Sequence, residues 1–379
     1  MDLATRISAR LFNVPTPAGS PVRSPTCRRF GQRTLRTICA VILASAALGA
    51  YSAELVTKPA DPADKEVVAD AAQVEALTKA NAAVVGVRVL AVEDAASAQS
   101  LGKMRAGSGV VIGNDGLVLT IGYLILEADS VELVLAGDKV VPARVVAYDQ
   151  ATGFGLVQAL VPLQVQPAPL GSAGSIEDQE MLMVSSGGAE GQISISQMVG
   201  RRGFSGYWEY HIDGAVFTAP PRTDHSGAAL FNQRGELVGI GSLLVMDALG
   251  PGFPRMPGNM FVPIDLLKPI LSEMRTTGAS SQSHRAWLGV NCVEQAGQVR
   301  VLRVNDQSPA MQAGIQPGDR ILKVDGSPVS DLAGFYQALW QGSTPERVVT
   351  LDIARSGEQQ TLKVQALDRM KTLRRARGI

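Results

Sequence analysis

The 379-residue sequence is poor in histidine, cysteine and aromatic residues and has no excess of either charge. Its 3 cysteines exclude a disulfide-stapled mini-protein. Cys27 and Cys39 lie near the N-terminus, which leaves Cys292 without a disulfide partner in the body of the chain. The 3 histidines, His211, His225 and His284, share no ligand spacing with Cys292. A Gly-Lys-Ser/Thr phosphate loop is also missing, so neither a metal nor another cofactor is expected. With 35 basic and 35 acidic residues the chain is not a uniformly basic nucleic-acid binder. A hydrophobic fraction of 46% and a mean hydropathy of +0.12 exclude a solvated, disordered polymer.

The even balance of charge hides an asymmetry. Residues 1–53 carry 7 arginines and a single acid, Asp2, leaving 28 basic and 34 acidic residues in the rest. Arg28, Arg29, Arg33 and Arg36 precede the apolar run Ile38 to Leu48, which is followed by the small residues Ala50, Ser52 and Ala53. This is the pattern of a secretory signal peptide over 1–53, with Sec and twin-arginine export both open. The apolar run is shorter than the roughly 20 residues of a spanning helix. A periplasmic or otherwise exported protein is expected.

Residues 54–80 are alanine-rich, with Val67, Val68, Val74 and Leu77 at helical spacing, and suit a leader helix. From 81 to 275 short apolar or alternating runs are separated by Gly, Asn and Asp turns. Asn114-Asp115-Gly116 is a strong hairpin signal between two of them. Such regular recurrence of strands predicts an all-β barrel or sandwich. Residues 276–285 are mostly small and polar and suit a linker. A second unit over 286–367 mixes strands near 299–304, 321–324 and 348–353 with helical patterns at 309–313 and 332–340, and a basic tail over 368–379 is expected to be solvated.

The segment Asp224-His225-Ser226-Gly227-Ala228, running into the hairpin Leu230 to Ile240, resembles the nucleophile loop of the HtrA (Deg) branch of chymotrypsin-like serine proteases. Gly107 to Thr120, Asp149 to Leu156 and Phe261 to Ile264 resemble, in order, the family's strands before the catalytic His, its Asp segment and the strand beside its specificity pocket. The resemblance implies a mainly β fold, a chymotrypsin-like double β-barrel followed by a small α+β PDZ domain. It also implies a degenerate triad. Ser226 stands at the nucleophile position, but Tyr123 stands where the family has His and Gly153 where it has Asp. A serine hydroxyl needs a proton acceptor near neutral pH, and a phenol with an ordinary pKa of about 10 is a poor one. Losing the base costs such a protease on the order of a million-fold in turnover. Asp224 replaces a glycine of the oxyanion loop, where a carboxylate would repel developing negative charge.

Trp287-Leu288-Gly289-Val290, Gly314 to Leu322 and Val324-Asp325-Gly326 resemble the PDZ domain that follows HtrA proteases. Such domains add a peptide as a strand and hold its terminal carboxylate in a nest of backbone amides. By this resemblance Trp287, Leu288, Gly289 and Val290 form the carboxylate loop, with Phe335 and Leu339 on the opposite groove wall. The implied partners are protein C-termini or unfolded polypeptides, an active HtrA-like homologue, and further copies of the chain in a trimer. Three functions stay open: a peptide-binding pseudoprotease, a slow serine endopeptidase using Ser226, and a structural subunit of an active relative.

Overall fold

The computed structural model describes residues 71–374 apart from residue 343. The expected signal peptide and the start of the leader lie outside the described residues. Helix α1, Ala71–Ala82, leads into the barrels and runs past the expected end of the leader.

Strands β1 (Val84–Ala91), β2 (Met104–Val111), β3 (Leu117–Ile121), β4 (Ala128–Val134), β5 (Val140–Tyr148) and β6 (Phe154–Ala159) close a first barrel in the order β1-β2-β3-β6-β5-β4. The Asn114-Asp115-Gly116 turn joins the antiparallel pair β2 and β3, as its residue types predict. Strand β3 is buried at every position, so its sequence Leu-Val-Leu-Thr-Ile has no polar alternation. Strands β7 (Met181–Ser185), β8 (Ile193–Gly206), β9 (Tyr210–Ala219), β10 (Ala229–Phe231), β11 (Leu237–Val245) and β12 (Gly258–Pro263) close a second barrel in the order β10-β11-β12-β9-β8-β7. One apolar core joins the two, combining Leu119, Leu133 and Phe154 with Phe217, Phe231 and Val262.

The third unit is a sheet of β14 (Val290–Gln295), β15 (Gln298–Val304), β16 (Arg320–Val324), β18 (Val348–Arg355) and β19 (Glu358–Gln365), with the short β17 (Ser327–Pro328) on β16. Two-residue strands β13 (Ala286–Trp287) and β20 (Leu367–Asp368) pair beside it. Its own core holds Leu288, Val290, Phe335, Leu339, Leu351 and Val364. Helix α2 is Leu271–Thr277, and helix α3, Leu332–Trp340, starts at an Asp331 cap that accepts from Gly334 N. The architecture is mainly β, two chymotrypsin-like barrels and a small α+β domain.

Two expectations need correction. The 276–285 segment is not a loose spacer, because Ser280 and Ser283 are buried and bound to Asp149. Asp149 accepts hydrogen bonds from Ser280 N at 2.9 Å, Ser283 Oγ at 2.5 Å, Thr152 N at 3.0 Å and Thr152 Oγ1 at 2.7 Å. A buried carboxylate demands such donors, and polar composition alone does not reveal that it will find them in a distant segment. Nor is the tail wholly solvated. Arg374 N donates to Glu127 Oε1 at 3.1 Å and its guanidinium pairs with Asp94 at 3.0 Å, which fastens the tail to the first barrel.

Burial raises the Asp149 carboxyl, but bonds from Ser280, Ser283 and Thr152 outweigh it and hold its pKa below the usual value. A depressed folded-state pKa stabilises the fold above the unfolded value of about 3.9 and loses that contribution as pH falls through the folded value. Asp149→Ala is expected to cost about 3 kcal/mol, since it leaves buried donors unpaired. Asp149→Asn should lack this component of acid destabilisation below about pH 4. Thermal unfolding across pH measures both, and wild-type behaviour in both variants would contradict the assignment.

Candidate functional site

Ser226 lies in the turn between β9 and β10, facing the end of the first barrel. Its carbonyl accepts from Ser108 N at 2.8 Å, and Gly227 N donates to Gly241 O at 2.9 Å. Gly227 has φ of +73°, and a Cβ there would fall 2.0 Å from Ser108 O, so only glycine permits this turn. Tyr123 sits in a single helical turn, Gly122–Ile125, directly after β3. Its Oη lies 2.8 Å from Ser226 Oγ and 2.9 Å from Ser242 O. The carbonyl can only accept, so when the phenolic hydrogen serves it the Ser226 hydroxyl donates to the phenol oxygen. Burial pushes the Tyr123 phenol up to about 12, against a smaller lowering by Ser226.

The other sequence candidates are held elsewhere. Gly153, in the β5–β6 turn at φ +80°, faces Tyr210, and a Cβ there would come 2.8 Å from Tyr210 Oη. Tyr210 Oη donates to Thr152 O at 2.8 Å. His225 turns back from Ser226, its Nδ1 3.1 Å from Arg222 O, and burial lowers its pKa. His211 lies between Ser205 and Asp213, with ring nitrogens at 2.8 Å and 3.1 Å. His284 pairs with Asp368 at 2.7 Å. All three imidazoles are engaged away from Ser226 Oγ.

The Asp224 carboxylate is clamped by Arg222 Nε at 3.0 Å, by Arg222 Nη2 and by Ser186 Oγ. Burial raises its carboxyl, but Arg222, Ser186 and its own backbone amide outweigh this and hold it below the ordinary carboxylate range. The amide at this position therefore faces a fixed negative charge. Arg222 also reaches Ser194 Oγ and, at 3.2 Å, Gln192 O, fastening the Ser226 turn to the segment after β7. A cleft of about 440 Å³ opens beside Ser226, with Arg88, Ala106, Ser186, Gly188 and Glu190 in its walls. Arg222 and Ser186 escaped sequence reading. The spacing of Arg222 two residues before Asp224 was the available signal, while Ser186 had none.

The second cluster is in the third unit. The amides of Leu288, Gly289 and Val290 converge on a carboxylate, that of Glu209, at 3.1 Å, 2.7 Å and 2.9 Å. Glu209 lies in the β8–β9 turn, with φ of +57° and 1% exposure. Burial raises its pKa, against lowering by the three amides and by the charge of Arg369. Cys292 N donates to Tyr207 O at 2.9 Å in the same turn. Tyr336 Oη on α3 donates to Gly206 O at 2.7 Å and accepts from Glu209 N at 3.2 Å. The buried Cys292 thiol is pushed up by desolvation and by Glu209. Trp287 is half-buried with the Arg369 guanidinium 5.2 Å from its ring centre. Phe335 and Leu339 are at 0% exposure inside the core and present no surface for a ligand in this state. Glu209 and Tyr336 were not anticipated, and an acid among Tyr207, Trp208 and Tyr210 was the one hint for Glu209.

Among the described residues no His, Cys, Asp and Glu group is placed to hold a metal, and no helix is long and apolar enough to cross a membrane.

Comparison with known proteins places the chain. Residues 107–240 match the trypsin-like peptidase domain and residues 286–366 the PDZ domain. The putative serine protease HhoA of Synechocystis is 27% identical over 285 residues, covering 68% of this chain and 70% of HhoA. A probable periplasmic serine endoprotease, DegP-like, of Pseudomonas fluorescens is 27% identical over 277 residues, covering 68% of this chain. The match spans 55% of that relative's length. The solved HtrA-type protease AlgW with a decapeptide superposes at a TM-score of 0.50 and 19% identity, covering 78% of this chain and 98% of that one. A form of AlgW with a tripeptide reaches 0.52 at 18% identity, covering 78% and 97%. These last two are likenesses of fold. With two barrels, a PDZ domain after them and relatives of the same build, the chain carries a trypsin-like peptidase domain followed by a C-terminal PDZ domain and is similar in this arrangement to HtrA-type proteases.

Proposed function

We propose that this chain is an exported HtrA-like pseudoprotease that grips C-terminal or unfolded segments of envelope proteins and does not cut them. The observation that carries the reading is the surroundings of Ser226 Oγ: its side-chain partner is the phenol of the half-buried Tyr123, pushed up to about 12, and every imidazole of the described chain is bonded elsewhere. In this reading Ser226 keeps the nucleophile position, Tyr123 fills that of the base and Gly153 that of its carboxylate. A neutral phenol cannot take the serine proton at neutral pH. Asp224 adds a negative charge where acyl transfer would need amides facing a developing oxyanion. Relatives named as probable periplasmic endoproteases support export. Amides of Leu288, Gly289 and Val290 converging on a carboxylate support recognition of peptide C-termini.

The pure full-length chain is expected to resist labelling by a serine-reactive fluorophosphonate and to leave casein intact, with Ser226→Ala indistinguishable from wild type. Labelling that disappears in Ser226→Ala would instead make it an enzyme. The double substitution Tyr123→His and Gly153→Asp is expected to stay inactive in the casein assay, since a side chain at 153 meets Tyr210 and the Asp224 carboxylate remains. Hydrolysis by that variant would remove Tyr210 and Asp224 as obstacles. Peptides with a free C-terminal carboxylate are expected to bind at least about tenfold more tightly than their amidated twins, because amidation removes the charge that the nest reads. Equal affinities would exclude the nest as the reading element.

A further inference from the structure

We propose that the peptide groove of the PDZ domain is occupied by a tethered internal ligand, the β8–β9 turn from Gly206 to Glu209, and that an external peptide must displace this turn to bind. The inference rests on the peptide-binding reading and adds its regulation.

Two features identify a C-terminal peptide to such a groove: a carboxylate in the amide nest and main-chain pairing with the strand that follows it. The turn supplies both. The Glu209 carboxylate takes the three amides of Leu288, Gly289 and Val290, and the carbonyl of Tyr207 takes Cys292 N on β14. These two groups are two residues apart, in a tight turn that is left-handed at Glu209, with φ of +57°. Tyr336 closes the other side from α3 by bonding both Gly206 O and Glu209 N. The segment therefore touches the nest, the strand and the helix together.

A simple domain contact does not call for this chemistry. An apolar residue would dock the turn without the cost of burying a carboxylate, and what meets Glu209 at hydrogen-bond distance among the described residues is backbone amides. What satisfies it is the set of amides that a terminal carboxylate would use. An intramolecular occupant competes at an effective concentration that a free peptide must overcome. The apparent affinity for peptide then falls by the fraction of molecules with an open groove. The same displacement releases the end of the β8–β9 ladder, whose strand β9 pairs with β12 of the second barrel. Peptide capture is thereby coupled to the barrel through one turn.

The test compares full-length wild type with Glu209→Ala and the near-isosteric Glu209→Gln, each checked for folding by circular dichroism. The probe is a fluorescent synthetic peptide copying residues 202–208 and closing on a leucine with a free carboxylate, alongside its amidated twin. Both variants are expected to bind the free-carboxylate probe at least about tenfold more tightly than wild type does, and to lose that gain on amidation. A gain that survives amidation would overturn the proposal, because the nest would not be what was freed. Equal affinity in all three proteins overturns the internal-ligand proposal while peptide binding stands. Absence of binding to the variants at millimolar probe overturns both readings.

Discussion

A carboxylate removed from water has to find its hydrogen bonds inside the protein, and this molecule uses that requirement to hold its parts together. Three carboxylates do the joining. Glu127 takes Ser97 N, Ser97 Oγ and the amide of Arg374 in the tail. Asp149 takes Ser280 and Ser283 in the connection between domains. Glu209 takes three consecutive amides of the PDZ domain. In each case a side chain of the barrels completes backbone donors far away in sequence that would otherwise stand unpaired. The PDZ domain is thus seated by polar contacts of fixed geometry.

The serine turn follows the same economy of donors and acceptors with a different outcome. Ser226 keeps the tight backbone of a nucleophile loop, because Gly227 and Gly241 leave room for the carbonyls of Ser108 and His225. What has changed is what faces the hydroxyl. Tyr123 is tied to Ser242 O as well as Ser226, and Arg222 locks Asp224 onto Ser186. A proton relay needs a group that changes charge near neutrality, whereas these bonds are most stable with the phenol neutral and the carboxylate ionised. The cleft beside the serine remains as a surface for contact.

Much of the fold was legible in the sequence because its signals are local. The Asn114-Asp115-Gly116 turn, the Asp331 cap on α3 and the glycine after Ser226 each act on neighbours a few residues away. The PDZ loop was legible as a short motif for the same reason. The unread contacts join residues with no local relation, such as Glu209 with Gly289 or Asp149 with Ser283. A small polar segment looks the same in sequence whether it is solvated or bound to a buried acid. Phe335 and Leu339 were equally ambiguous, since core and groove both call for apolar residues at helical spacing, while Tyr336 between them carries the hydroxyl that meets the turn.

Cys292 gains a particular position from this arrangement. Its amide bonds the turn, and its thiol lies buried at 0% exposure beneath it, with deprotonation opposed by burial and by the neighbouring acid. Thiolates are the species that oxidants and disulfides attack, so the sulfur is protected chemically as well as sterically. The sulfur belongs to the apolar core of the PDZ domain itself, so the packing that holds this small domain together also keeps its thiol out of reach of disulfide exchange.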